Sequence, residues 1–219
     1  MSTSAYMQEQ VVAKNTDKLL IKDANDLKII KRDTFLKREG YEDLRPTGEY
    51  SPGGASDPSV KTFIAPLLIP AFAGSGTNNQ ATYRFHFPHD LVPGSDFYMH
   101  VHWGNNQVSP SGNVKWKITW RYARGYELGD FGTEIVTILP DATVNATQYK
   151  HHITESLAIT PAILGEDVQI DGVIIACLER DTSDTNNDDA FMLEFDIHYL
   201  SDGNKTVDKN ESGSGFIKS

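Results

Sequence analysis

Between about residue 60 and residue 200, large apolar side chains recur at every second position. Trp116, Ile118, Trp120 and Tyr122 alternate with Lys115, Lys117, Thr119 and Arg121. That period is the signature of a strand with one face buried and the other in water. Tyr83, Phe85 and Phe87 repeat it, as do Phe97, Met99, Val101 and Trp103. So do Phe191, Leu193, Phe195, Ile197 and Tyr199, with Glu194, Asp196 and His198 opposite. Residues 61–69, 134–139, 147–153 and 169–179 supply further strands. Turn signals separate them: Gly74-Ser75-Gly76, Pro93-Gly94-Ser95, Ser111-Gly112-Asn113, Asp171-Gly172 and Asn186-Asn187-Asp188-Asp189. Each fully buried large side chain contributes roughly 1.5–3 kcal/mol, so these ladders are the core. About eight strands with hardly any helix between them predict an all-β fold, an antiparallel β-sandwich of jelly-roll type.

The pattern divides the chain into three zones. Residues 1–58 are polar and charge-mixed and read as an extended N-terminal arm. One short helix over 25–37, capped by Asp23 or Asn25, fits there, although Leu27, Ile29, Ile30 and Phe35 make a poor stripe. Residues 59–200 form the sandwich domain. Residues 201–219, rich in Gly, Ser and Lys, read as a C-terminal tail.

Composition narrows the function classes. A formal net charge of −10 argues against a phosphate-binding surface, which needs clustered Lys and Arg, so no nucleic-acid partner is expected. No apolar run approaches the roughly 18 residues that span a bilayer, and no membrane partner is expected. Met1 to Gln10 lacks the basic and apolar regions of a secretory signal, so synthesis in a cytoplasm is expected. Asn145-Ala146-Thr147, Asn204-Lys205-Thr206 and Asn210-Glu211-Ser212 then match the glycosylation sequon by chance. The single cysteine, Cys177, sits in an apolar run and reads as a small core residue.

Histidines are the sharpest chemical lead. His100 and His102 share one strand face, and His86 and His198 also oppose their strands' apolar ladders. Imidazoles gathered on a β-face bind iron, manganese or zinc in cupin-type barrels. After His102, however, Trp103-Gly104-Asn105-Asn106-Gln107 offers no acid, and the competing reading is a solvated face or a subunit contact. No metal or other cofactor is therefore expected, with His86, His100, His102 and His198 as the candidates were one present. Asp181, Asp184, Asn186, Asp188 and Asp189 offer oxygens to calcium but lack the spacing of an EF-hand loop, and read as a solvated connection. Glu194 and Asp196 share a strand face without a visible cleft. There is no Gly-x-Ser-x-Gly elbow and no Walker-type loop, Gly74-Ser75-Gly76-Thr77 being a turn. No catalytic residue is assigned, and an enzyme is not expected.

Three motifs follow one another: Phe85-His86-Phe87-Pro88-His89-Asp90, Val92-Pro93-Gly94-Ser95-Asp96 and His100-Val101-His102-Trp103. With the Trp- and Tyr-rich strand at 116–122, the Arg180-Asp181 loop and the ending Asp196-Ile197-His198-Tyr199, they resemble a widespread, poorly characterised family of virion structural proteins of tailed bacteriophages. The resemblance covers residues 43 to 199. Residues 1–40 are longer and more charged than in that family, and the tail matches it only through Gly203, Lys205, Thr206 and Phe216. The resemblance implies a non-enzymatic virion component forming a homo-oligomer, with a trimer expected. Capsid decoration on the major capsid protein is the first expectation; a neck, tail or fibre-attachment role is the second. A cupin-like metalloenzyme, or a sugar-binding module using Tyr98 or exposed Trp residues, are the rival classes.

Overall fold

The computed structural model describes residues 18–23, 26–31, 39–50, 56–74, 78–125, 129–145 and 147–203. The chain forms two compact units, Met1–Arg38 and Glu39–Ser219. The first unit contains an antiparallel hairpin of β1 (Lys18–Asp23) and β2 (Asp26–Lys31). This corrects the expected helix over 25–37 as far as residue 31; the remainder, including Phe35, lies outside the described residues. The apolar residues do not make a helical stripe but fall in two runs, which the register sets side by side, Leu19 against Ile30 and Leu20 against Ile29. Asp23 pairs with Asp26, so only two residues connect the strands, the length typical of a tight hairpin.

The second unit is a sandwich of two antiparallel sheets. Its strands are β3 (Gly40–Leu44), β4 (Gly48–Tyr50), β5 (Ser59–Ile64), β6 (Leu67–Phe72), β7 (Gln80–His86), β8 (Phe97–Gly104), β9 (Asn113–Val114), β10 (Trp116–Ala123), β11 (Ile135–Ile138), β12 (Ala142–Thr143), β13 (His152–Glu155), β14 (Val173–Arg180) and β15 (Ala190–Ser201), with a one-turn helix α1 (Pro161–Leu164) before β14. One sheet runs β11-β10-β14-β7-β4, the other β13-β8-β15-β6-β5, and β3 also pairs with β15. Taking β6, β7, β8, β10, β11, β13, β14 and β15 as strands one to eight, the sheets read 1-8-3-6 and 2-7-4-5. That order is the double Greek key of a jelly roll, as the sequence predicts.

The predicted ladders meet between the sheets. Trp103, Trp116 and Trp120 are fully buried together with Phe72, Phe85, Phe97 and Phe195. Phe195 of one sheet packs edge-on against Tyr83 and Phe85 of the other, with ring centroids 5.2 and 5.1 Å away. Such pairs add about 0.5–1.5 kcal/mol each beyond the area they bury. Trp103 Nε1 donates to Thr154 Oγ1 at 3.0 Å and Trp120 Nε1 to Thr137 Oγ1 at 2.9 Å, so these indoles enter the core without an orphaned N–H.

Several local expectations change. The strand expected over 61–69 is the hairpin β5–β6, turning at the cis Ala65–Pro66 bond. The strand expected over 147–153 lies later, at β13. In β15 a bulge between Met192 and Glu194 inserts an extra residue and reverses the facing. Leu193 is consequently exposed, while Phe191 and Met192 are buried before it and Phe195, Ile197 and Tyr199 after it. Cys177 is half-buried and belongs to the outward-facing set of β14, since Ile174, Ala176 and Leu178 fill the interior. Burial pushes its thiol pKa up, with Glu179 adding to the effect, so the thiolate is disfavoured.

Residues 39–50, inside the zone read as an arm, belong to the sandwich unit. β3 pairs along the C-terminal half of β15, and β4 pairs with β7. Residues 1–17 and 204–219, where the rest of the arm and most of the tail fall, lie outside the described residues.

The acidic loop after β14 differs from the solvated connection expected of it. Asp184 and Asn186 are buried, wrapped around the buried Arg180. Arg180 donates from Nη2 to Asp184 Oδ1 at 2.6 Å and from Nε to Asp184 Oδ2 at 2.8 Å. It also donates to the carbonyl oxygens of Asn186 and Asp188, both at 2.6 Å. With both Asp184 oxygens committed to a guanidinium, the loop is a structural clasp and a poor calcium donor set.

Candidate histidine and carboxylate site

The pleat turns Phe97, Met99, Val101 and Trp103 of β8 inward and His100 and His102 outward. In β15, past the bulge, Phe195, Ile197 and Tyr199 turn inward, and Asp196 and His198 outward. Register then assembles the site. Asp196 stands opposite His100, and Glu194 opposite His102. On the other side of β8, Glu155 of β13 stands opposite His100. Beyond β15, Asp43 of β3 stands opposite His198.

The side chains close over this outer face. His100 and Asp196 are 1% and 2% exposed. His100 Nε2 lies 2.5 Å from Asp196 Oδ1, and His102 Nε2 lies 3.9 Å from the same oxygen. His102 Nδ1 is 2.8 Å from His151 Nε2, with the two rings stacked. His198 is held at both nitrogens, by Asp43 Oδ1 at 2.8 Å and Glu155 Oε2 at 2.7 Å, and its ring lies 3.9 Å from that of His100. Burial pushes the His102 pKa down, helped by the neighbouring His100 and His151 and opposed by Asp196. Burial also lowers the pKa of His152, which stacks on Trp103.

Of the four histidines singled out by sequence, three converge and one does not. His86 is on β7, in the opposite sheet, where His86 Nε2 and His89 Nε2 approach Asp171 Oδ1 at 3.2 and 2.9 Å. Alternation reveals which face a histidine takes but not which sheet carries it. Alternation does not reveal Asp43, His151 or Glu155, because only the pairing of strands brings them near His100, His102 and His198. Asp196 was noticed as a paired acid, and its place opposite His100 depends on a register that the bulge sets.

The arrangement differs from a cupin barrel in its side. The three histidines face away from the interior, and the interior side of β8 and β15 is filled by aromatic core. For a sugar-binding surface, all three tryptophans are buried, and Tyr98 is half-covered and edge-on to Tyr41.

No family model matches this chain, and no curated protein matches it. Among solved structures it shows distant similarity to a structure of infectious bursal disease virus Gt strain, with a TM-score of 0.35 and 10% identity over 90% of this chain and 38% of that one. For the Gx strain of the same virus the TM-score is 0.33 at 8% identity, over 90% of this chain and 39% of that one. For the stem and receptor-binding domain of spike protein P1 from bacteriophage PM2 it is 0.30 at 11% identity, covering 73% of this chain and 67% of that one. The chain thus spans well under half the length of the two virus chains.

Proposed function

We propose that the chain is a non-enzymatic structural component of a tailed-phage virion, acting as a homo-oligomer. The observation that carries this reading is the filled interior of the jelly roll. Three tryptophans and a set of phenylalanines fill the space in which a jelly-roll enzyme would hold its ligand. The sequence signature over residues 43 to 199 supports the same class. Exposed apolar side chains on the hairpin β5–β6, Val60, Leu67 and Leu68, and on β11, Val136 and Ile138, are surface that assembly would cover.

Within that class, capsid decoration is the role proposed, with copies of the chain and the major capsid protein as partners; a neck, tail or fibre-attachment position is the alternative. A decoration protein binds the assembled lattice and not its loose subunits, so it stabilises the lattice by mass action, and linked contacts multiply its affinity. Light scattering coupled to gel filtration is expected to give three times the 24.3 kDa chain mass at micromolar concentration. A monomer mass at all concentrations would contradict the oligomeric role.

A further inference from the structure

We propose that His100, His102 and Asp196 bind a divalent transition cation of the kind imidazole favours, such as zinc. One potential ligand atom from each residue lies within 4.8 Å of the others. Asp196 Oδ1 sits between the two imidazoles at 2.5 and 3.9 Å, yet it has no aligned hydrogen-bond partner, and neither has His100 Nδ1. Buried polar atoms are rarely left without an aligned partner. A cation accepting the carboxylate and imidazole lone pairs resolves the Asp196 oxygen directly.

The spacing suits such an ion. Bonds of about 2.0–2.2 Å in a tetrahedral site set ligand atoms roughly 3.3–3.5 Å apart, between the two distances found here. Side-chain shifts of less than about 1 Å would bring both to that value. His102 is also oriented as a ligand would be. Its Nδ1 engages His151, which leaves Nε2 facing Asp196, and a metal-bound histidine is commonly fixed through its other nitrogen in this way. Two imidazoles and one carboxylate select zinc, iron or nickel over calcium or magnesium, which prefer all-oxygen sets. The neighbouring group of Asp43, His100 and His198 is less suited, because both nitrogens of His198 already face carboxylates. This inference reverses the expectation of no metal, and it does not depend on the proposed virion role.

The test is calorimetric titration of the chelator-treated full chain with Zn²⁺, in the presence of excess Mg²⁺. About one ion per chain is expected to bind, with a rise in melting temperature. His102→Gln is expected to weaken binding about 100-fold or more, and Asp196→Asn likewise. His86→Gln, altered on the opposite sheet, is expected to bind as the unaltered chain does. His102 is partly exposed, so its variant is expected to fold and decides the matter even if Asp196→Asn does not fold. Absence of zinc binding, binding unchanged in His102→Gln, or binding lost in His86→Gln would each overturn the proposal.

Discussion

Replacing Asp184 with alanine is expected to lower the stability of the sandwich by about 3–5 kcal/mol. In a domain of this size that corresponds to a melting temperature lower by roughly 10 °C. The Arg180–Asp184 side chains are 2% and 0% exposed, so water cannot take over the solvation of the guanidinium when its carboxylate is removed. Arg180 would keep its bonds to the carbonyl oxygens of Asn186 and Asp188 but would hold an uncompensated charge in the protein interior. Asp184 also accepts from the backbone N–H of Lys115 and of Asn186, so the loop loses one of its bonds to the β9–β10 connection as well. Asp181→Ala is the control. Its carboxylate bonds within the loop to Ser183, and a loss within about 1 kcal/mol is expected. Chemical denaturation of both variants measures the difference. Equal losses would mean that Arg180 finds other compensation.

Truncation separates the two units. Deleting residues 1–38 is expected to leave a soluble chain that melts cooperatively close to the full-length temperature, since the sandwich unit starts at Glu39 and carries its own core. Deleting residues 1–45 is expected to cost several kcal/mol, because it removes β3. Each lost ladder hydrogen bond to β15 is worth about 0.5–1.5 kcal/mol net. The Tyr199 hydroxyl loses Glu42, and His198 loses Asp43. Thermal melts of the two truncations check this. Matching midpoints would mean that β3 adds nothing to the sheet, and failure of the shorter deletion to fold would mean that the first unit is needed for the core.

What was legible in the sequence follows from what each residue gains. Positions that gain burial were readable: the ladders of β7, β8 and β10 have apolar residues at every second place, and they fill the interior. Positions that gain backbone pairing were not. In β3, Tyr41, Glu42 and Asp43 are all exposed, so no hydrophobic alternation announces the strand, and β15 supplies its pairing instead. Leu193 misled because a bulge leaves no mark on an alternating pattern. The loop of 181–189 reads as solvated because its acids are numerous, but Arg180 draws Asp184 into the interior beneath it. The histidine site was half readable. The shared faces of His100 with His102, and of Asp196 with His198, follow from the period of two, but their meeting is a property of the pairing of β8 with β15.

The most direct test of the proposed structural role is to quantify the chain in purified particles of the phage proposed to encode it, with heads and tails separated before mass spectrometry. Many copies per particle are expected, in the head fraction and in a fixed ratio to the major capsid protein. Recovery in the tail fraction would move the protein to the neck or tail alternative. Its absence from purified particles, with all of it free in the lysate, would contradict the account.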